Sequence, residues 1–219
     1  MATVSDPQTQ PRTAASPSAS AMQGWVPANP APLGLFGFGI TTAVLSFINA
    51  NLVGTAPATY PLVLGLAIAF GGLAQLLAGM WEFRSGNAFG AVAFSSFGAF
   101  WISFFFLVNF DVAKIATPEV NSALGLWLIA WGVFTACLFL CTFASPRSVQ
   151  LLFLLLTATF IVLGIGQSGG HTTTIHVGGY IGIATAAVAV YTATAELMKG
   201  VYGHSMLPIG EPAPRTPDL

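Results

Sequence analysis

Long apolar runs alternate with short polar breaks along this chain, near 33–54, 60–81, 87–109, 122–144, 148–167 and 176–198. Each run is long enough to cross about 30 Å of hydrocarbon as a helix. The breaks carry turn and helix punctuation: Ala56-Pro57, Arg84-Ser85-Gly86, Thr117-Pro118-Glu119, Ser145-Pro146-Arg147 and Ser168-Gly169-Gly170. They are too short to hold an inserted soluble domain. The pattern predicts an all-α integral membrane protein, a bundle of six transmembrane helices. Residues 1–28 are rich in Ser, Thr, Pro and Ala and lack an apolar stretch, so they read as a disordered tail rather than a secretory signal. Residues 29–199 are the transmembrane domain, and residues 200–219 form a second polar tail carrying Pro208, Pro212, Pro214 and Pro217.

The first run has a marked start, Asn29-Pro30-Ala31-Pro32-Leu33-Gly34-Leu35. Asn29 suits an N-cap, because its side chain can accept a bond from an unpaired amide. Pro30 then takes the first helical position and Pro32 the third, where a missing N–H costs nothing. Such a start presents the positive end of a helix dipole, which favours an anion.

Composition agrees with the membrane reading. Only 6% of residues are charged and 55% are hydrophobic, against about 25% charged in soluble domains. The net charge of −1 and the lack of a basic run exclude a nucleic-acid partner. Arg12, Arg84, Arg147, Lys199 and Arg215 fall on one side of an even-numbered bundle, and only Lys114 falls on the other. That asymmetry predicts both termini in the cytoplasm, with the chain in the cell (plasma or inner) membrane. Trp25, Tyr60, Trp81 and Tyr202 lie where interfacial belt residues belong. Cys137 and Cys141 share one helix face as small packing residues, too few ligands for a metal. No cofactor is expected.

No Lys, Arg, Asp or Glu lies deep in any run. Polar content is mostly Ser and Thr, which in membranes usually bond their own backbone or a neighbouring helix. Gln75 stands apart, since an amide in hydrocarbon needs several partners. Glu82 and Glu196 sit near run ends, and His176 opens the last run. His176 and Glu196 are 20 residues apart, about 30 Å along a helix, too far for a direct proton pair. Small residues line the second run (Gly71, Gly72, Ala74, Ala78, Gly79) and the sixth (Gly178, Gly182, Ala186), so the helices can approach closely. Gly166-Gln167-Ser168-Gly169, followed by His171 and His176, is similar to the Gly-x-Ser-Gly of rhomboid proteases. Here the Ser and both His lie together in or beside the last outer loop, so no dyad forms within the bilayer.

Five blocks in order resemble the acetate uptake transporter family, the succinate–acetate permease or YaaH group. They are Asn29–Leu35; Gly71-Gly72-Leu73-Ala74-Gln75 with Ala78-Gly79 and Glu82; Gly86-Asn87-Ala88-Phe89-Gly90 with Ser96-Phe97-Gly98-Ala99-Phe100-Trp101; Leu126-Trp127 with Trp131-Gly132-Val133-Phe134-Thr135; and Leu207-Pro208-Ile209-Gly210-Glu211. The resemblance implies a homohexamer with a substrate path through each protomer. It also implies a hydrophobic constriction of Phe, Tyr and Leu, which maps onto Phe38, Phe97 and Leu156. The family's Ser-Tyr-Gly is Ser-Phe-Gly here, so the narrowing becomes wholly apolar while ring size is kept.

The expected function is transport of acetate, propionate or succinate, with no enzymatic activity. A small carboxylate is ionised at neutral pH, and no cation awaits it in mid-membrane. Asn29, Pro30, Leu33 and Gly34 at the mouth, then Thr41, Thr42, Gln75 and Thr157, are the candidate substrate path. Glu82, His176 and Glu196 are candidate proton-linked groups. The residues suit either an anion channel or a proton symporter. A channel for a neutral solute such as ammonia, urea or water, or a bundle without transport, shares the same uncharged interior.

Overall fold

Capping and backbone breaks, more than hydropathy, decide where the apolar runs begin and end as helices. The computed structural model describes residues 27–54, 59–110 and 117–212. Its membrane-length helices are α1 (Ala31–Asn49), α2 (Tyr60–Ser85), α3 (Ala88–Asn109), α4 (Pro118–Cys141), α5 (Arg147–Gly169) and α6 (Thr172–Tyr202). A 3-10 turn, Thr142–Ala144, extends α4. The fold class is the one expected. Trp25, Arg12, Lys114, Arg215, Pro214, Pro217, Ala56-Pro57 and most of the tail 1–28 lie outside the described residues.

Several ends differ from the apolar runs. α1 stops at Asn49 rather than near 54, because Ala50 ends the hydrogen bonding and Asn51 adopts φ +58. α4 starts at Pro118, four residues before the apolar run, because Thr117 accepts a bond from the Val120 amide at 3.3 Å and Pro118 follows. α2 runs on to Ser85 and ends where Gly86 takes φ +78. α6 runs through Tyr202, taking in the first three residues of the expected C-terminal tail.

The helices form a ring in chain order, and α6 closes back on α1. The α3 and α4 backbones approach least, and large rings fill that seam. Phe100 of α3 stacks on Trp127 at 4.9 Å, and Phe97 meets Phe134 edge-on at 6.0 Å. Elsewhere small residues let backbones touch. The α6 stripe is consumed inside the protomer. A Cβ on Gly178 would lie 2.6 Å from Leu163, and Gly179 abuts the Ala50 amide of α1. Cys137 and Cys141 are exposed on the outer face of α4 rather than packed inside the ring.

α2 is not a uniform helix. It is α-helical over Tyr60–Ile68, π-helical over Ala69–Ala74 and α-helical again over Gln75–Ser85. The wide turn adds one residue and rotates everything after it by about 100°. Two neighbouring glycines make room. A Cβ on Gly37 of α1 would sit 2.7 Å from the Phe70 carbonyl, and one on Gly98 of α3 would sit 2.9 Å from the Gly72 carbonyl. The first residue after the wide turn is Gln75, which faces inward and is buried.

Candidate functional site

α1, α3 and α5 run in the same direction, and each brings one residue to the centre of the ring. Phe38, Phe97 and Leu156 are all buried there. The Phe38 and Phe97 ring centroids are 5.7 Å apart. Phe97 is further boxed by Trp131, Phe134, Phe153 and Phe160, with centroids 6.0–6.3 Å away. The position that is Tyr in the family is thus enclosed by rings.

Two cavities meet at this level. One of about 490 Å³ opens toward the loops α1–α2, α3–α4 and α5–α6. It sits within the range of small-molecule sites. Thr42, Ser46, Asn49, Trp101, Asn121 and Gln167 give it polar groups, and Phe100, Phe104 and Trp127 give it an aromatic wall. The other, about 20 Å³, lies toward the side where the chain enters α1 and leaves α6, here the terminal side. It has room for about one water. It is lined by Leu35, Gln75, Phe94 and Phe153 among others. Phe38 and Leu156 line both cavities, and Phe97 lines the small one. The three expected residues are therefore brought together where a wide vestibule narrows to molecular dimensions.

Most hydroxyls in the spans behave as membrane threonines usually do. Thr135, Thr142, Thr157, Thr159, Thr185 and Thr192 each donate to a carbonyl three or four residues earlier, at 2.6–2.9 Å. Thr157 thus serves its own helix and lines neither cavity, against the expectation that it lies on the path. Thr41 and Thr42 are different: both are buried and neither hydroxyl has a partner. Thr42 faces the vestibule, whereas Thr41 packs on Gly71, where a Cβ would lie 2.7 Å from its Oγ1. Gln75 is 1% exposed, and neither its Oε1 nor its Nε2 has a partner in the protein.

The terminal-side mouth is built around two asparagines. Asn29 accepts from the Ala31 amide at 3.0 Å and donates from Nδ2 to Glu196 Oε2 at 3.2 Å. Asn87 accepts from the Gly90 amide at 3.1 Å and donates from Nδ2 to Glu82 Oε2 at 2.9 Å. Each caps one helix and holds a carboxylate of another helix end. At the start of α1 it is the Asn29 side-chain amide, and no helix amide, that meets the protein's own Glu196. Hydrogen bonding within α1 begins at the Pro30 carbonyl, so Asn29 caps by its side chain with Pro30 between it and the first bonded turn. Glu82 is 1% exposed, and its Oε1 has no partner. Asn87→Ala should therefore lower stability by about 2–4 kcal/mol, by losing a cap and stranding a buried carboxylate. Thermal unfolding in detergent would show this, and adding Glu82→Gln should recover part of the loss. An unchanged melting temperature would contradict the arrangement.

Leu33 is exposed, and His176 lines neither cavity. Gly34 is buried because Phe94 lies over it; a Cβ there would be 2.7 Å from the ring. His176 and Glu196 sit on the one unbroken helix α6, so they stay far apart as expected. The vestibule wall was not anticipated. Asn121 and Gln167 bond across it at 3.3 Å, and Trp101 Nε1 is buried there without a partner. Their signal in the sequence is only that polar residues and Trp recur at one end of the runs.

Several known proteins are similar to this chain in sequence. The Escherichia coli protein named succinate-acetate/proton symporter SatP is 39% identical over 184 residues, covering 84% of this chain and 96% of the relative. Acetate permease A of Emericella nidulans is 39% identical over 198 residues, covering 83% and 65%. Ammonia transport outward protein 2 of Saccharomyces cerevisiae is 42% identical over 174 residues, covering 77% and 61%. The solved structure of the bacterial acetate channel SatP superposes with a TM-score of 0.77 at 38% identity, covering 84% of this chain and 99% of that one. With its membrane-length apolar helices, the chain is a multi-pass membrane protein. The model of the GPR1/FUN34/yaaH family matches residues 12–208, and the chain belongs to that family.

Proposed function

We propose that this protein carries acetate and related small carboxylates, propionate and succinate among them, through the centre of each six-helix body. The observation that carries this reading is the apolar girdle of Phe38, Phe97 and Leu156, set between a roomy vestibule and a one-water cavity beside the unpartnered Gln75 amide. A bare carboxylate entering the girdle loses hydration at large cost. Passage needs ring motion that admits water, or protonation of the acid. Gln75 and Thr42 offer hydrogen bonds on either side of the girdle, weak enough to release the solute again.

The termini face the cytoplasm in this reading, so the vestibule opens outward. Asn29, Pro30, Leu33 and Gly34 then belong to the inner mouth, with Glu82 and Glu196 as proton-linked groups there and His176 near the outer face. The chain divides into a tail over 1–28, a transport domain over 29–199 and a tail over 200–219. In this reading the protomers assemble as a homohexamer, as the family resemblance implies, and the exposed apolar residues of α4, Leu126, Val133 and Leu140, are free to face lipid or a neighbouring protomer.

A second reading, passage of ammonia, draws on the yeast relative's name and on a lumen with no charged side chain at the girdle. Uptake of labelled acetate into vesicles at several external pH values separates the two. Saturable uptake, competed by propionate and succinate but not by urea, is expected. A requirement for an inward proton gradient identifies symport, and dependence on acetate concentration and voltage alone identifies a channel. Vesicles that pass ammonia and no acetate would replace the carboxylate reading.

A further inference from the structure

After α6 ends, the chain folds back on the bundle, and Leu207–Glu211 lies against α6 and the start of α5. The Arg147 amide donates to the Gly210 carbonyl at 2.9 Å, and the Ser148 amide donates to the Ile209 carbonyl at 3.0 Å. These amides belong to the first turn of α5, where no carbonyl of the helix can reach them. Pro146, which precedes them, has no side-chain cap to offer. Ile209 is only 4% exposed, despite its place in a polar tail. Tyr191 of α6 donates to the Pro208 carbonyl at 2.8 Å, and Lys199 pairs with Glu211 at 2.6 Å. Gly210 adopts φ +71, and a Cβ there would lie 2.7 Å from that of Arg147. A side chain at this position would therefore force the two backbones apart.

No residue of this strap lines either cavity, so it is not a plug. What it holds is the end of the helix that carries Leu152, Phe153 and Leu156. Leu156 lies nine residues beyond Arg147, about 14 Å along the axis. We propose that Leu207–Glu211 is a positioning clamp for α5: by capping the first turn with its own carbonyls, it sets how closely Leu156 and Phe153 approach the rings of Phe38 and Phe97, and so the size of acid that passes. The proposal rests on the carboxylate-transport reading. Ile209, Gly210 and Tyr191 are its positioning residues, acting on the girdle only through α5.

The test compares initial uptake rates of labelled acetate and butyrate in vesicles containing equal amounts of inserted protein. The unmodified chain sets the reference ratio. Gly210→Val, and a chain ending at Met206, should raise the butyrate-to-acetate ratio at least threefold and change KM and maximal rate by different factors. Tyr191→Phe should move it the same way by less, and Ile209→Val should keep the reference ratio. A reference ratio in Gly210→Val would overturn the clamp, and that variant decides alone if the shortened chain fails to insert. A second readout does not depend on transport. Leu152→Cys, with Cys137→Ser and Cys141→Ser, should react slowly with a small maleimide, and several-fold faster once Gly210→Val is added. Equal rates would also overturn the clamp. Absence of acetate uptake by the unmodified chain would instead sink the transport reading, leaving the cysteine rates to decide whether the strap holds α5.

Discussion

Phe38→Ala should let through acids that the intact protein excludes, raising the butyrate-to-acetate uptake ratio about tenfold. The phenyl ring lines the vestibule on one side and the one-water cavity on the other, and Phe97 is its ring partner at 5.7 Å. Removing it joins the two cavities directly. One methylene in an apolar pocket already discriminates by roughly tenfold or more, and a phenyl is far larger. Truncating a core Phe costs about 3–5 kcal/mol. Phe38 should fall near the low end, because open space already flanks it and fewer contacts are lost. Paired uptake assays on membranes with matched protein levels check the ratio, and thermal unfolding checks the cost. A variant that remains folded and keeps the reference ratio would place the size filter elsewhere and remove Phe38 from it.

The girdle residues Phe38, Phe97 and Leu156 come from the family resemblance alone; they sit on three separate helices, and no period or spacing in this chain singles them out. The helix count was legible because a bilayer imposes a length on every span. The direction in which a polar side chain faces was not. Thr42 and Thr157 look alike in the sequence, yet one hydroxyl faces the vestibule unpartnered and the other bonds the Phe153 carbonyl. Each span is apolar all round, because lipid on one side and packed helices on the other both favour apolar side chains. No contrast between faces therefore tells which side of a helix looks inward. The π turn at Ala69–Ala74 adds a rotation that no regular period would show. In the sequence Glu82 shows only as a carboxyl group near a run end. Its burial depends on Asn87, which follows a glycine turn and reaches back across it. The C-terminal strap is opaque for the opposite reason. The two contacts that cap α5 run from backbone carbonyls to backbone amides far away in sequence, and those leave no pattern of residue types.

Gln75→Leu should separate binding from packing, because its two effects have opposite signs. A carboxamide brings two donors and a carbonyl with two lone pairs, and at Gln75 none of these is engaged within the protein. Keeping such a group buried and unpaired costs about 1–3 kcal/mol. Leucine has a similar size without that cost, so the variant should unfold at higher temperature than the parent. Acetate uptake should fall at the same time. Among the residues lining the narrow cavity, Gln75 alone carries a side-chain hydrogen-bond donor. A bond to a charged oxygen contributes about 1.5–3 kcal/mol, which corresponds to a loss of roughly tenfold to a hundredfold in rate at low acetate. Gln75→Glu should lose more, since a carboxylate there would repel the substrate where the amide N–H had met it. If Gln75 instead served to hold helices together, the leucine variant would melt earlier and transport at the parent rate. That pair of results would remove Gln75 from the path and leave Thr42 as the polar group nearest the girdle on α1.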